Sequence, residues 1–311
     1  MKTERNYFVR ILIIILIFVI SSCKKENPVV SDCVPIPPYQ EMGTGYNYIL
    51  DSSYYARPNF NPNNPNEIIF VIEKGLNHKL IKYNLLTKEK QTLFEGTIIF
   101  QPKWGKNDWI LLNLPDANIW SLKSNGDSLT RITSRGGYYQ PEWNTYSDKI
   151  VFYESFSYQN YFISDINGNI LDSFPNKPST QIKWHNDSLI FYQYIFNIYC
   201  LNINSRATSI IFTYSDEDPE DNGIVITKNN NLLFCKKDGI YSININNKVV
   251  KLVKSTCNSK VYMWPTYSTI IDKIIWQRLD YTLIDEQNVS VKSRLFMMNS
   301  DGTGEEEIIV N

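Results

Sequence analysis

A pattern that recurs roughly every 40 residues constrains the fold of this chain more than any other feature. Most copies have a proline-x-aromatic or aliphatic-x-aromatic unit, then an apolar run, then an aliphatic and aromatic run that leads into a polar turn. These last runs begin at Leu80, Ile119, Tyr161, Ile198, Ile240 and Leu295. Their starts lie 37 to 42 residues apart, except for a gap of 55 before the last. A period of this length indicates stacked units that cannot bury their apolar faces singly.

The apolar runs are short and separated by turn residues, which indicates strands. Helical repeats of similar length need apolar residues at three-four spacing, whereas this chain is rich in Ile, Tyr, Phe and Asn. Six copies of a four-stranded meander predict an all-β fold, a six-bladed β-propeller of four-stranded antiparallel blades. The propeller is predicted to occupy residues 46–311 as one closed ring. The length of the chain alone would suggest two domains, but a propeller of this size is a single domain.

The charge balance argues against a nucleic-acid partner. The formal net charge is −1 and the sequence pI is about 6.2, so the sequence shows no excess of basic residues that would indicate such a partner. Tyr, Trp and Phe make up 14% of the residues. Because inner propeller strands are covered on both faces, most of these aromatic side chains are expected in the core.

The N-terminus has the pattern of a targeting segment. Lys2, Arg5 and Arg10 form a basic start, and residues 11–20 are a continuous apolar run. This run is about half the length that spans a bilayer as a helix, and it suits a signal-peptide core. Ile20-Ser21-Ser22-Cys23 then resembles the lipobox of bacterial lipoproteins. The resemblance implies a signal peptide at residues 1–22 and lipidation of Cys23; the alternative is an uncleaved N-terminal anchor, which would also place the protein on a membrane.

The segment after the lipobox is predicted to be an extended tether. Residues 23–45 contain four prolines and mixed charge but no strand periodicity. Lys24 follows Cys23, where the lipoproteins retained in the inner membrane of some bacteria have aspartate. We therefore expect a lipid-anchored protein of the bacterial cell envelope, delivered to the outer membrane, with the side of that membrane left open.

The repeats resemble those of the TolB-like family of six-bladed propellers. The shared series is Pro-x-aromatic, Ile-x-Phe and Ile-Tyr-x-x-Asn/Asp-x-x-Gly, and it extends from Pro58 to Val310. Ile226 departs from it where Trp is usual, and Ser164 departs at an apolar position. TolB itself has a further α/β domain, for which residues 23–45 leave no room, so the resemblance implies a lipid-anchored relative in fold rather than TolB. Residues 46–50 are either an extra strand on the last blade or the lead-in to the first.

Propeller geometry divides the connections between two faces. Second-to-third loops and blade-to-blade connections lie on one face, which we call the loop-rich face; the remaining turns lie on the other, the turn face. The longest connection is residues 277–294 in the sixth repeat, and it is expected either to fold over the ring mouth or to meet a partner. Function concentrates in loops on a rigid scaffold. The predicted binding residues on the loop-rich face are Tyr138, Tyr139, Phe156, Tyr158, Leu283 and Ile284. Tyr138 and Tyr139 have an alternative role, packing over the neighbouring blade.

Metal binding and catalysis find little support in the sequence. Asp216, Asp218 and Asp221 could gather on Ca²⁺, but their spacing matches no calcium loop, and a solvated acidic loop is the alternative. The two histidines, His78 and His185, are predicted on opposite faces, so they cannot share a metal. No Gly-x-Ser-x-Gly nucleophile motif is present. We expect no cofactor and no catalytic residue; the only loose candidates for glycoside chemistry are the carboxylates Asp116, Glu154 and Asp280.

Four cysteines follow Cys23. Cys200 and Cys235 are expected on inner strands of adjacent repeats as buried free thiols. Export permits disulfides, and one option pairs Cys33 with Cys257, tying the tether to the ring.

These observations favour a non-enzymatic module, a lipid-anchored envelope propeller that binds a protein or another ligand such as a glycan through its loop-rich face. The alternative is an envelope carbohydrate-active enzyme, a glycoside hydrolase or lyase of propeller fold. Carboxylates with shifted pKa in the ring mouth would favour the enzyme.

Overall fold

The computed structural model describes residues 47–51, 53–155, 160–175, 181–194, 196–214, 223–236, 239–255 and 260–310. These residues form 25 β-strands and one short 3-10 helix, Lys228–Asn230. Among them no helix is long and apolar enough to cross a membrane. The strands make six antiparallel sheets arranged as the blades of a six-bladed β-propeller, which confirms the predicted fold class.

Each blade is a meander whose strands follow one another in chain order. The first blade contains β2 (Tyr54–Phe60), β3 (Glu67–Lys74), β4 (Asn77–Asn84) and β5 (Lys90–Gly96). The second contains β6 (Phe100–Trp104), β7 (Trp109–Asn113), β8 (Ile119–Lys123) and β9 (Thr130–Arg131). The third contains β10 (Tyr138–Trp143), β11 (Lys149–Glu154), β12 (Asn160–Asp165) and β13 (Ile170–Pro175).

The second half of the ring continues the pattern. The fourth blade contains β14 (Gln181–Trp184), β15 (Leu189–Tyr194), β16 (Asn197–Asn202) and β17 (Thr208–Thr213). The fifth contains β18 (Ile224–Thr227), β19 (Asn231–Lys236), β20 (Gly239–Asn244) and β21 (Val250–Ser255). The sixth contains β22 (Lys260–Ser268), β23 (Lys273–Leu283), β24 (Asn288–Asn299) and β25 (Glu306–Glu307), and it is joined by β1 (Asn47–Leu50).

The innermost strands of four blades have a bulge at the proline of the repeat. The residue before each of these prolines has a positive φ, and the pairing with the second strand shifts at the same point. These residues are Arg57, Gln101, Gln140 and Trp264. Proline lacks the N–H that a continuous ladder would use, so inside a sheet it is confined to edges and bulges. The bulge therefore explains why an inner strand carries proline in these repeats.

The hydrophobic core lies between neighbouring blades. On β7, Ile110 and Leu112 pack toward the first blade, whereas Leu111 packs toward the third. Side chains alternate between the two faces of a strand, and each blade of a closed ring is covered on both faces by its neighbours. This double coverage explains the unbroken apolar runs of the second strands.

The ring closes where the sixth blade meets the first. Ile275 and Leu295 of the sixth blade pack with Phe60 and Phe70 of the first. Across the same seam, the hydroxyl of Tyr83 donates to the Ile309 carbonyl at 2.7 Å. The outer edge of β24 is covered at one end by β25 and at the other by β1, which pairs parallel to it. Residues 47–50 are therefore an extra strand on the last blade, the first of the two roles left open.

The connection at residues 277–294 is not a loop. Residues 277–283 belong to β23 and residues 288–294 to β24, with only residues 284–287 between them, and the two strands pair without interruption from Lys273 opposite Asn299 to Leu283 opposite Val289. Leu279, Val289 and Val291 are buried with Tyr281 in a small apolar cluster. The extra length of the sixth repeat is thus a β-hairpin that extends the blade, because its apolar residues alternate with polar ones and bury one face.

Candidate functional site

A cavity of about 570 Å³ lies on the loop-rich face between the first and sixth blades. Its walls come from the start of β2, the end of β3, the strand β1 and the inner parts of β22 and β23. The lining residues used below are Leu50, Tyr54, Arg57, Glu73, Met263 and Trp264. The volume falls in the range of small-ligand sites, and the lining mixes apolar walls with a few charged groups, as such sites do.

Arg57 is held between aromatic rings at the floor of this cavity. Its guanidinium carbon lies 5.2 Å from the centre of the Phe100 ring and 5.8 Å from that of Trp264. Glu73 forms an ion pair with the same guanidinium. The planar guanidinium suits stacking and bidentate contacts, so these partners fix its orientation. Its Nε is buried and has no hydrogen-bond partner among the described residues.

The cavity borders an extension of the sixth blade with exposed apolar side chains. At the hairpin tip Leu283 is 42% exposed and Ile284 is 57% exposed. The neighbouring strand β1 exposes Ile49 and Leu50, and Leu50 also lines the cavity. Exposed apolar side chains that are grouped beside a cavity are typical of interaction surfaces.

A charged cluster lies in the central channel of the ring. Glu142, on the inner strand of the third blade, accepts from Lys103 at 3.0 Å and from Lys183 at 3.1 Å. Burial opposes ionisation of Glu142, yet the two lysines hold its pKa below the usual value. Burial also lowers the pKa of Lys183 to about 8; Glu142 opposes this shift and Lys103 adds to it. The cluster therefore places two cations on one carboxylate.

The channel opens on the turn face as a cavity of about 300 Å³. All six inner strands contribute to its lining, including Glu142 and Lys183. Nearer the loop-rich face a cavity of only about 10 Å³ is lined by Lys103, Arg57 and Trp264 together with the bulge residues. A volume of this size is about that of one water probe, so the space among these residues holds no more than a water molecule.

The predicted binding residues are not brought together. Tyr138 packs edge-on against Phe152 at 5.2 Å and Phe162 at 6.0 Å, and Tyr139 lies 5.8 Å from Tyr153. These contacts match the packing alternative: both tyrosines contact aromatic rings of their own blade, and Tyr138 also packs against the cluster that includes Leu111 and Ile119 of the neighbouring second blade. Leu283 and Ile284 lie three blades away, at the hairpin tip. Phe156, Tyr158 and Cys23 lie outside the described residues.

The loose catalytic candidates are each engaged with an arginine. Asp116 lies 3.3 Å from Arg131, and Glu154 lies 3.3 Å from Arg135. Asp280 forms an ion pair with Arg278 at 2.9 Å. Although burial would raise the pKa of Asp116, hydrogen bonds from Trp120 and Asn118 and the charge of Arg131 hold it below the usual value. A general acid for glycoside hydrolysis needs the opposite shift.

The histidines lie at opposite ends of their blades, as predicted. His78 is near the start of β4, and its Nδ1 accepts from the Ile99 N–H at 3.3 Å. His185 follows β14 and lines the turn-face cavity, where burial lowers its pKa. In the described part of the chain no group of three His, Cys, Asp or Glu could hold a metal ion. The acidic residues Asp216, Asp218 and Asp221 lie outside that part.

The cysteine predictions hold only in part. Cys235 is buried as predicted, but it lies on β19, the second strand of its blade, and not on the inner strand. Cys200 is a free thiol, but it is half-buried and lies on β16, the third strand, so the placement of the two cysteines on inner strands was wrong. Burial raises the pKa of the Cys200 thiol. Cys33 and Cys257 lie outside the described residues.

Two sets of site residues were missed from the sequence, and both follow from the repeat. Arg57 and Trp264 occupy the position before proline, where the second and third repeats both have glutamine. Lys103, Glu142 and Lys183 occupy the position before tryptophan in the same unit. These sites could have been found from the sequence by looking for charged residues at the inner-strand positions that face the channel.

Comparison with known proteins gives likeness in fold only. No family model matches the chain, and no curated protein matches it. Among solved structures, a protein from Agrobacterium tumefaciens assigned as TolB is 14% identical with a TM-score of 0.58, covering 74% of this chain and 88% of its own. The β-propeller domain of the Trilobed protease from Pyrococcus furiosus is 14% identical with a TM-score of 0.54, covering 83% and 98%. The tricorn protease is 14% identical with a TM-score of 0.59, covering 84% of this chain and 26% of its own.

At sequence identities this low, structural similarity shows a shared architecture but not a shared activity. The TolB protein and the protease propeller share the blade arrangement seen here, and each is covered nearly in full. The chain is therefore a six-bladed β-propeller similar in fold to TolB and to the propeller domain of a protease.

Proposed function

We propose that the protein is a lipid-anchored propeller of the bacterial envelope that binds a partner through its loop-rich face without catalysing a reaction. The anchor is Cys23, and residues 23–45 act as the tether. The basic start, the apolar run and the lipobox pattern of residues 2–23 support an envelope location.

The main observation behind this proposal is that the cavity between the first and sixth blades lies next to exposed apolar side chains of the extended sixth blade. In sheet order the hairpin strand β23 is followed by β24 and then β1. The exposed tip residues Leu283 and Ile284 therefore lie on the same extension as the exposed Ile49 and Leu50, and Leu50 lines the cavity. This arrangement offers a partner an apolar contact area and, beside it, a recess with an oriented guanidinium at Arg57. Interface cores favour such a combination of apolar residues and arginine.

The position of the binding surface differs from the one first expected. Tyr138 and Tyr139 are engaged in packing within the third blade, so the proposal rests on the sixth and first blades. Leu283 and Ile284 remain from the predicted set. Phe156 and Tyr158 stay predictions.

The test is cross-linking and capture in the native envelope with variants of the hairpin tip. Replacing the whole hairpin would remove the buried Leu279, Val289 and Val291, so point changes are needed. The variant is Leu283→Ser with Ile284→Ser. The control is Ile270→Ser with Ile271→Ser, in the same blade but on the turn face, where the two side chains are 57% and 37% exposed.

We expect one partner to be captured by the native chain and by the turn-face control, and to be lost from the tip variant while its melting temperature is unchanged. Equal capture by the tip variant and the control would show that the loop-rich face of the sixth blade is not the binding surface.

A further inference from the structure

We propose that the central channel binds a small anionic ligand, whose carboxylate or phosphate group is held by Lys183, with the charge of Lys103 acting beside it across Glu142. The site is entered from the turn face and is separate from the surface proposed above, so it adds a second, small-molecule function.

The charge balance of the channel is the first argument. Lys103 and Lys183 converge on a single carboxylate, Glu142, on the inner strand between theirs. Among the described residues Glu142 is the only carboxylate within ion-pair distance of either lysine. Two ammonium groups and one carboxylate leave one positive charge in a largely buried place. An unpaired buried charge is unfavourable, and a bound anion would neutralise it.

Donor capacity is the second argument. Each ammonium has three N–H donors and Glu142 takes one from each, so donors remain for a second anion. The neighbouring channel positions on the first and sixth blades are Asn59 and Thr266, and the fifth blade has Val225. None of these three residues is charged. No carboxylate at these positions on the other side of the ring therefore neutralises the remaining positive charge of Lys103 and Lys183.

The access route is the third argument. The turn-face cavity of about 300 Å³ reaches Glu142 and Lys183, and Lys106 and His185 stand at its rim. Lys106 adds positive charge at the entrance and attracts anions toward the opening. Toward the other face, the space among the bulged inner strands of the first, second and sixth blades has a volume of only about 10 Å³, and Lys103 lines it. The cavity is small, so the ligand is a compact acid or inorganic phosphate rather than a polymer, and aromatic residues at the opening such as Trp184 can contact its uncharged part.

The test is titration of the full-length protein in detergent with inorganic phosphate and, separately, with acetate, followed by calorimetry and by melting temperature. Sodium chloride at equal ionic strength is the reference for screening. The variant Lys183→Met leaves Lys103 paired with Glu142 and removes the surplus charge. Glu142→Gln increases that surplus, and Lys251→Met, an exposed lysine on β21, is the matched control.

We expect the native chain and the Lys251→Met control to bind at least one of the two anions beyond the chloride response. Lys183→Met should weaken that binding about tenfold or more, because a hydrogen bond to a charged group is lost. Glu142→Gln should strengthen it, and the anion should restore part of that variant's melting temperature. Binding of phosphate alone or of acetate alone identifies the head group.

Two results would overturn the proposal. One is a native response to both anions no larger than the response to chloride. The other is a response that Lys183→Met retains in full, which would place the anion elsewhere on the surface. If Glu142→Gln does not fold, Lys103→Met replaces it, with the same loss expected as for Lys183→Met.

Discussion

The surplus lysine in the channel makes a specific prediction about stability. Burial lowers the pKa of Lys183 from the ordinary 10.5 to about 8, and its side chain is only 11% exposed. A difference of this size corresponds to about 3 kcal/mol at most against the charged form in the folded state. Lys183→Met keeps the apolar stem and leaves the Lys103 to Glu142 pair intact. We expect it to raise the free energy of unfolding at pH 7 by about 1 to 3 kcal/mol.

The same shift predicts the pH dependence. Between pH 8 and 10.5 the unfolded chain binds more protons at Lys183 than the folded chain does, so the native protein gains stability as the pH rises through this window. The variant lacks this gain. The assay is guanidinium unfolding of both proteins at intervals from pH 7 to 10.5, and the quantity of interest is their difference in free energy of unfolding.

The difference should be largest at pH 7 and should shrink toward pH 10.5. Lys251→Met, at an exposed position, should change stability by no more than about 0.5 kcal/mol. A Lys183→Met variant that is less stable than the native chain at pH 7, or a difference that does not change with pH, would refute the reasoning.

Three further predictions concern other parts of the chain. Glu142→Gln should lower the free energy of unfolding by about 2 to 4 kcal/mol in guanidinium unfolding, because it leaves two cations unpaired in the channel; no loss would mean that solvent already neutralises them. Gly168→Ala should cost about 1 to 2 kcal/mol more than Gly75→Ala in the same assay, since both glycines have positive φ but only Gly168 would press its Cβ onto the Ile132 carbonyl, and equal costs would contradict this. Cys23→Ser should move the protein from the detergent phase to the aqueous phase in Triton X-114 partitioning, and unchanged partitioning would exclude lipidation at this residue as the anchor.

The fold could be predicted from the sequence because each repeat is locally consistent. Units such as Pro141-x-Trp143 followed by an apolar run at residues 150–152 specify two paired strands whatever lies beyond them. The sixth repeat was misread because its extra residues were compared in number with the other repeats and not in pattern. Leu279, Tyr281 and Leu283 alternate with polar residues, which is the period of a strand.

The candidate sites could be predicted far less well, because they are made by ring closure. Lys103, Glu142 and Lys183 lie about 40 residues apart in sequence and meet only when three inner strands surround one axis. The cavity beside Arg57 needs the first and last blades to touch, along with a strand from before the ring. The pattern of a single repeat does not show which of the six equivalent inner-strand positions will carry charged side chains that pair with one another.

The parallel strand β1 also determines how the ring would bear mechanical load. Strand β1 begins at Asn47, whose N–H donates to the Gln287 carbonyl at the hairpin tip, and it then runs inward beside β24 to Leu50. A pull on the N-terminus directed outward from the loop-rich face acts along the axis of β1. Its hydrogen bonds to β24 are then strained together in shear instead of being peeled apart one after another. A propeller held by its N-terminus would in this way transmit tension to the longest strand of the ring.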